Sequence, residues 1–317
     1  MFLNIILLII GFVMLIKGAD ILVDGASSLA RNFKLSAMFI GLTIVSFGTS
    51  APEFAVSVQS LLKGSGDIVL GNVIGSNILN ILLIVGVSAM VHFLTVKNDT
   101  VKKEIPIILL ISTLLIVLMN DSIFGLGANS FTRQDGVTVC LFFLVFIYYL
   151  IRMMRNKKDP ETEEGEIKYS IPKSLLFVAI GLIGIIVGSN FVVDSASNIA
   201  LALGVSERMV ALTIVALGTS LPELVTSVTA TKKGEYDIAI GNVVGSNIFN
   251  IGIVLGLPVA LLGGISNITF SMVDLAVMLL AALLIFIFGL RDRKINKKEG
   301  IIMLTIFVVY YSYVIFA

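Results

Sequence analysis

Apolar residues fall along this chain in long runs rather than in periodic stripes, broken by short polar or turn-rich stretches. Runs of about 17–25 apolar residues match the hydrocarbon thickness of a bilayer. Taken one by one, they predict about ten membrane spans, near residues 3–30, 36–62, 68–94, 104–120, 136–151, 173–202, 207–231, 238–264, 271–290 and 300–316. The expected fold class is an all-α polytopic membrane protein. A β-barrel would instead alternate apolar and polar positions along short strands, which this chain does not do. Composition agrees. Of 317 residues, 57% are hydrophobic and 14% charged, against about 25% charged in soluble domains. The opening run MFLNIILLIIGFVML lacks the positive n-region and small-residue cleavage site of a signal peptide, so it reads as a retained first span.

The breaks carry an orientation. With the N-terminus outside, the inward loops hold Arg31 and Lys34, then Lys97, Lys102 and Lys103. They also hold Arg152, Arg155, Lys157, Lys158, Lys168 and Lys173, then Lys232 and Lys233, and finally Arg291, Arg293, Lys294, Lys297 and Lys298. That is eighteen of the 22 basic residues; only Lys63, Arg133 and Arg208 lie in outward loops. Positive loops stay on the cytoplasmic side. The expectation is a multi-pass protein of the plasma (inner) membrane with both termini extracellular, its partner the lipid bilayer. A monomer and no nucleic-acid partner are expected; the net charge of +1 by itself points to no charged partner. The polar stretch 152–172, RMMRNKKDPETEEGEIKYSIP, reads as a solvated cytoplasmic linker, acidic cluster included, too short to fold alone.

The spans on either side of that linker are copies of one unit. At a fixed offset of 170, GLTIVSFGTSAPEFAVSVQSLLKGSGDIVLGNVIGSNILN (41–80) aligns without gaps on ALTIVALGTSLPELVTSVTATKKGEYDIAIGNVVGSNIFN (211–250), with 23 of 40 positions identical. Upstream, Gly18, Val23, Asp24, Ala26 and Ser27 fall on Gly188, Val193, Asp194, Ala196 and Ser197. The organisation is therefore residues 1–151, the linker, and residues 173–317, with five spans per copy. Five is odd, so the second copy enters the membrane from the opposite face. Inverted repeats of this kind belong to alternating-access transporters, with the substrate site near the midplane.

Within each copy two polar motifs interrupt the apolar run. In FGTSAPEF (47–54), Pro52 removes a backbone donor and its ring disrupts the preceding turn, while Gly48 adds freedom. Carbonyls near Ser46 to Thr49 should be freed, which at membrane depth is tolerated only where they are buried in protein or line a watery cavity. Glu53 is the costly member, since a charge at mid-membrane costs about 2.5–3.5 kcal/mol on insertion scales. Glu223 is its mate in LGTSLPEL (217–224). Helical spacing puts Ser46, Ser50, Glu53 and Ser57 on one stripe, and Ala216, Ser220, Glu223 and Ser227 on its partner. Asn72, Ser76 and Asn80, and Asn242, Ser246 and Asn250, add two more stripes at i, i+4, i+8. Gly71 with Gly75, and Gly241 with Gly245, let those helices approach their neighbours closely.

The resulting set is nearly all oxygen, with two carboxylates, main-chain carbonyls, hydroxyls and amides. Hard cations take such ligands, about six to eight of them for Ca²⁺. Softer metals would call for Cys or His. Cys140 and His92 are the only ones of their kind and read as a small apolar side chain and an interfacial side chain. Asp24 and Asp194 read as interfacial hydrogen-bonding groups. No nucleophile–base pair is visible, so an enzyme is not expected, and no cofactor is called for.

The duplicated G-T-S-x-P-E and G-N-x-x-G-S-N motifs resemble the α-repeats of the sodium/calcium exchanger branch of the cation/Ca²⁺ antiporter superfamily, and the likeness covers the whole chain. The resemblance implies that Ca²⁺ binds Glu53 and Glu223 with the main-chain oxygens of Thr49 and Thr219. Flanking Na⁺ sites would use Ser50 and Ser76 on one side and Ser220 and Ser246 on the other, with carbonyls of Ser46 and Ala216. Asn80 and Asn250 would complete the central site. It further implies exchange of three Na⁺ for one Ca²⁺, with the first and sixth spans sliding across a rigid core. Their glycines, Gly11, Gly18 and Gly25 with Gly181, Gly184 and Gly188, fit such sliding. Potassium-dependent relatives carry an aspartate where Asn250 stands, and proton/calcium members carry a glutamate where Gly75 and Gly245 stand. Ser46 replaces a commoner alanine. Proton/Ca²⁺ antiport through the same two glutamates, and a cation channel, are the alternative readings.

Overall fold

The computed structural model describes residues 1–125, 128–155, 167–266, 268 and 271–316. The acidic cluster of the linker falls at 156–166, outside the described residues. The chain is mostly helical. The first half runs α1 (Phe2–Phe33), α2 (Ala37–Thr49), α3 (Ala51–Leu62), α4 (Gly66–Val91), α5 (Ile105–Met119) and α6 (Arg133–Arg155). The second runs α7 (Ile171–Ala202), α8 (207–218), α9 (Leu221–Lys232), α10 (Tyr236–Leu262), α11 (Met272–Asp292) and α12 (Lys297–Phe316).

Seven of these, α1, α4, α6, α7, α10, α11 and α12, are each long and apolar enough to cross a membrane, and α2 with α3 makes an eighth span bent by 44°. The two remaining expected spans are not single long helices. α5 has 15 residues and is entered through a wide π turn at Thr100–Glu104, while the 207–232 segment is interrupted between α8 and α9. This break and the one between α2 and α3 both lie at the motif. Ser50 (φ −82°, ψ 5°) and Ser220 (φ −89°, ψ 4°) leave helical geometry, and Pro52 and Pro222 sit in the first turn of the helix that follows. Proline there loses only a donor that has no intrahelical partner anyway, and its ring keeps the preceding helix from continuing.

The centre is built by α4 and α10. Their apolar windows are 72% and 83% buried, against 22–33% for the other five long helices, whose exposed Ile, Leu, Phe and Val side chains form the lipid-facing surface. Both central helices widen into π turns, at Leu79–Val85 and Asn250–Leu255, as do the helices leading to the motifs, at Gly41–Val45 and Ala211–Val215. Such turns are rare and concentrate at functional sites. Two small clasps tie the connecting loops together. Leu94–Thr95 pairs antiparallel with Lys294–Ile295, and Phe131 bridges Ile265 through two 2.8 Å backbone hydrogen bonds.

Outside this centre α1 and α7 lie antiparallel in backbone contact. A Cβ on Gly11 would come 2.8 Å from the Gly188 carbonyl oxygen, one on Gly18 2.9 Å from the Ile185 nitrogen, and one on Gly181 2.6 Å from the Leu22 nitrogen. These neighbours are main chain and cannot swing away. In lipid, where helix association rests on close van der Waals packing, small residues at such a seam set the approach distance. Gly184 differs, because its nearest neighbour would be 3.4 Å away. Gly181→Val should therefore lower the midpoint of thermal unfolding in detergent, by an overpacking cost of about 1–3 kcal/mol, while Gly184→Ala should leave it within error.

Candidate functional site

The breaks at Ser50 and Ser220 aim the first turns of α3 and α9 at one another between α4 and α10. Glu53 and Glu223 are each 1% exposed, and they stand close enough for their charges to interact directly. Ser50 Oγ, from the first half, donates to Glu223 Oε1 at 3.1 Å, with the Thr49 hydroxyl beside it. The Thr219 and Ser220 hydroxyls approach the Glu53 carboxylate without completing a hydrogen bond, so both Glu53 oxygens are unpartnered, as is Glu223 Oε2. Ser220 Oγ instead donates to Ser76 Oγ at 3.3 Å. Each half thus reaches into the acid of the other.

The central helices hold this arrangement through asparagines. Asn72 Nδ2 donates to the Glu53 carbonyl at 2.9 Å and to Ser57 Oγ at 3.0 Å. Asn242 Nδ2 makes the corresponding pair, to the Glu223 carbonyl at 3.4 Å and Ser227 Oγ at 2.9 Å. A second pair crosses between the halves: Asn77 Nδ2 donates to the Asn247 carbonyl at 3.3 Å, and Asn250 Nδ2 to Asn77 Oδ1 at 3.1 Å. Asn250 thereby spends one donor on Asn77 and keeps Oδ1 unpartnered. Asn80 Oδ1, Asn247 Oδ1 and Ser246 Oγ are likewise buried without a partner.

Unpartnered buried oxygens cost about 1–3 kcal/mol each, and more when charged. A cluster that includes three carboxylate oxygens is unfavourable unless something positive answers it. Among the described residues no lysine or arginine pairs with Glu53 or Glu223, and no group of three or more His, Cys, Asp and Glu is gathered there. Two acids plus neutral oxygens is the donor set of a hard cation.

The sequence-derived residues do not all take equal parts. Glu53, Glu223, Ser50, Ser220, Ser76, Ser246, Asn80 and Asn250 are all buried, as is Thr49. The Ser46 carbonyl, expected to be free, accepts from the Ser50 amide at 3.0 Å and the Thr49 hydroxyl at 3.3 Å. Ala216 is exposed and Thr219 half-buried. Asn77 and Asn247 lie within the duplicated motif, outside the stripes that the helical spacing defines. Their identity in both copies was the available signal.

The two halves are chemically alike but not equally closed. Thr49 Oγ1 donates to Asn242 Oδ1 at 3.0 Å, whereas among the described residues Thr219 makes no such bond to Asn72. A Cβ on Gly245 would sit 2.5 Å from Ser46 Oγ and one on Gly241 2.9 Å from the Met38 carbonyl oxygen, so α2 is flush against α10. At the matching position Gly75, a Cβ would meet nothing within 4 Å among the described residues.

Comparison with known proteins places these features. The family profile described as "Sodium/calcium exchanger protein" matches residues 3–152 and 173–316. A relative named putative antiporter CaxA, from Alkalimonas amylolytica, is 38% identical over 302 residues, covering 92% of this chain and 91% of its own. Sodium/calcium exchanger MaX1 of Methanosarcina acetivorans is 31% identical, covering 97% of each chain. Among solved structures, the sodium-calcium exchanger NCX_Mj superposes with a TM-score of 0.84 at 33% identity over 98% of both chains.

If a divalent cation answers the two acids, millimolar Ca²⁺ should raise the unfolding temperature of the purified protein. At one hundred times Kd the added stability is about 2.7 kcal/mol. Glu53→Gln should abolish that shift while raising the melting temperature in chelator, because it removes one of two like charges. A calcium shift of wild-type size in Glu53→Gln would move the ion site elsewhere.

Proposed function

We propose that this chain, which belongs to the sodium/calcium exchanger protein family, exchanges Na⁺ for Ca²⁺ across the membrane as a secondary active antiporter. It is a transporter of cations and not an enzyme, and the ions are its substrates. The observation that carries the finer reading is the pair Glu53 and Glu223, one from each half, both buried, with three of four carboxylate oxygens unpartnered.

One Ca²⁺ matches two carboxylates in charge. Removing it uncovers two repelling acids, which monovalent ions of similar size can answer separately. Ser50 already leans on Glu223 and Ser220 on Ser76, so the hydroxyls beside the acids are placed to serve flanking Na⁺ sites with Ser246 and the Ala216 carbonyl, while the main-chain oxygens of Thr49 and Thr219 join the two acids on Ca²⁺. Shared ligands make the two loads mutually exclusive, and exclusion is the physical basis of coupled exchange. The reading takes a stoichiometry of three Na⁺ per Ca²⁺, ten spans in two inverted five-helix repeats, residues 152–172 as a cytoplasmic linker, and both termini outside. The paired π turns at matching positions and the two loop clasps, one from each half onto the other, support the repeat. The relative MaX1 carries sodium/calcium exchange in its name.

In proteoliposomes, an outward sodium gradient should drive ⁴⁵Ca²⁺ uptake, and a pH gradient alone should not. Uptake driven by pH and indifferent to sodium would instead make the glutamates proton carriers, and uptake needing no counter-ion would mark a channel. Glu223→Gln should lower the rate at least about 100-fold. That corresponds to about 2.7 kcal/mol, within the 2–5 kcal/mol lost when one partner of a buried charge pair is removed.

A further inference from the structure

Beyond the acids, the repeat offset of 170 relates two basic–acidic couples. Lys233 matches Lys63, each followed by a glycine with positive φ (78° at Gly234, 74° at Gly64), and Asp24 matches Asp194. Only one couple is formed. Lys233 Nζ lies 3.0 Å from Asp24 Oδ1 and 3.5 Å from Asp20 Oδ1, and donates to the Asp20 carbonyl at 2.7 Å. It thereby ties α1 to the turn between α9 and α10. Lys168 reaches the same Asp24 at 3.9 Å. Among the described residues Lys63 and Asp194 make no ion pair.

The formed couple lies on the side where α2 is flush against α10, with Gly245 closed on Ser46. The unformed couple lies on the side where the space beside Gly75 is open. The hydrogen bond from Thr49 to Asn242, with no counterpart from Thr219 to Asn72, follows the same division. Three independent contacts thus report one closed and one open seam.

We infer that Lys233 with Asp24, and Lys63 with Asp194, are alternating closing pairs. The first holds the seam between α2 and α10 shut in the state seen here. The second forms when α1 and α7 shift and the seam between α8 and α4 shuts in turn. This rests on the alternating-access reading above, but not on which ions move. The two closures are also unequal. Arg31 pairs with Glu235 at 2.8 Å on the closed side, while Leu201 and Ser65 occupy the matching positions, and Asn190 stands where Asp20 has its match. The closure seen here has more ion pairs and is the resting one.

Met38 is 3% exposed at the closed seam. In a Cys140→Ser background, Met38→Cys reports opening of that seam by its rate of reaction with a small water-soluble thiol reagent, in calcium-saturated detergent solution and with no transport needed. Partly exposed pairs are weak, so Lys233→Gln and Asp24→Asn should each raise the rate about two- to five-fold. Lys63→Gln and Asp194→Asn should each lower it. A generally loosened protein would give increases for all four. Changes of the same sign for the two couples, or no change in any of the four, would overturn the inference. The readout stays valid even if sodium fails to drive calcium uptake.

Discussion

Two like charges held together inside a membrane protein are the constraint from which the remainder of this fold follows. Bringing Glu53 and Glu223 out of water costs several kcal/mol each, and their mutual repulsion adds to it. The arrangement is bearable only in a shell of fixed dipoles that a cation completes. The interrupted helices, the paired asparagines and the buried α4–α10 centre all serve that end. Serine and threonine hydroxyls and main-chain oxygens come from the breaks at Ser50 and Ser220. Asn72 and Asn242 clamp the carbonyl of each glutamate so that its side chain is delivered at a fixed depth.

The duplication makes this economical. One unit folds into a half-site with a single acid, and its copy supplies the second. Neither half is complete alone, because Ser50 answers Glu223 and Asn250 answers Asn77 across the interface. Chemical symmetry with unequal closure is also what a two-state device needs. The Gly245 seam is shut and the Gly75 seam open, in a molecule whose two seams are built from nearly the same sequence.

Much of this was readable before any coordinates. The long apolar runs placed the helices to within a few residues, and the 170-residue offset exposed both acids and both proline breaks. What the sequence could not convey was pairing at long range. Asn77 sits inside a quoted motif, but that its amide crosses to the Asn247 carbonyl depends on the packing of two helices far apart in the chain. Ser46 illustrates the reverse: proline at 52 suggested a free carbonyl, and the local turn instead satisfies it from Ser50 and Thr49. Asp24 read as a group making interfacial hydrogen bonds. Its lysine partner lies in a different repeat, so the ion pair was invisible to any local pattern. The span expected over 207–231 is one continuous run in hydropathy, which does not register a break of two residues at Thr219 and Ser220.

The central claim, one divalent cation shared by Glu53 and Glu223, is tested most directly by diffraction from crystals soaked in Sr²⁺, whose anomalous signal marks the ion without ambiguity. A single strong peak within coordination distance of both carboxylates, and absent from Glu53→Gln crystals, is the predicted result. Anomalous density bound elsewhere in the protein, with the two carboxylates unoccupied by metal at saturating Sr²⁺, would contradict it.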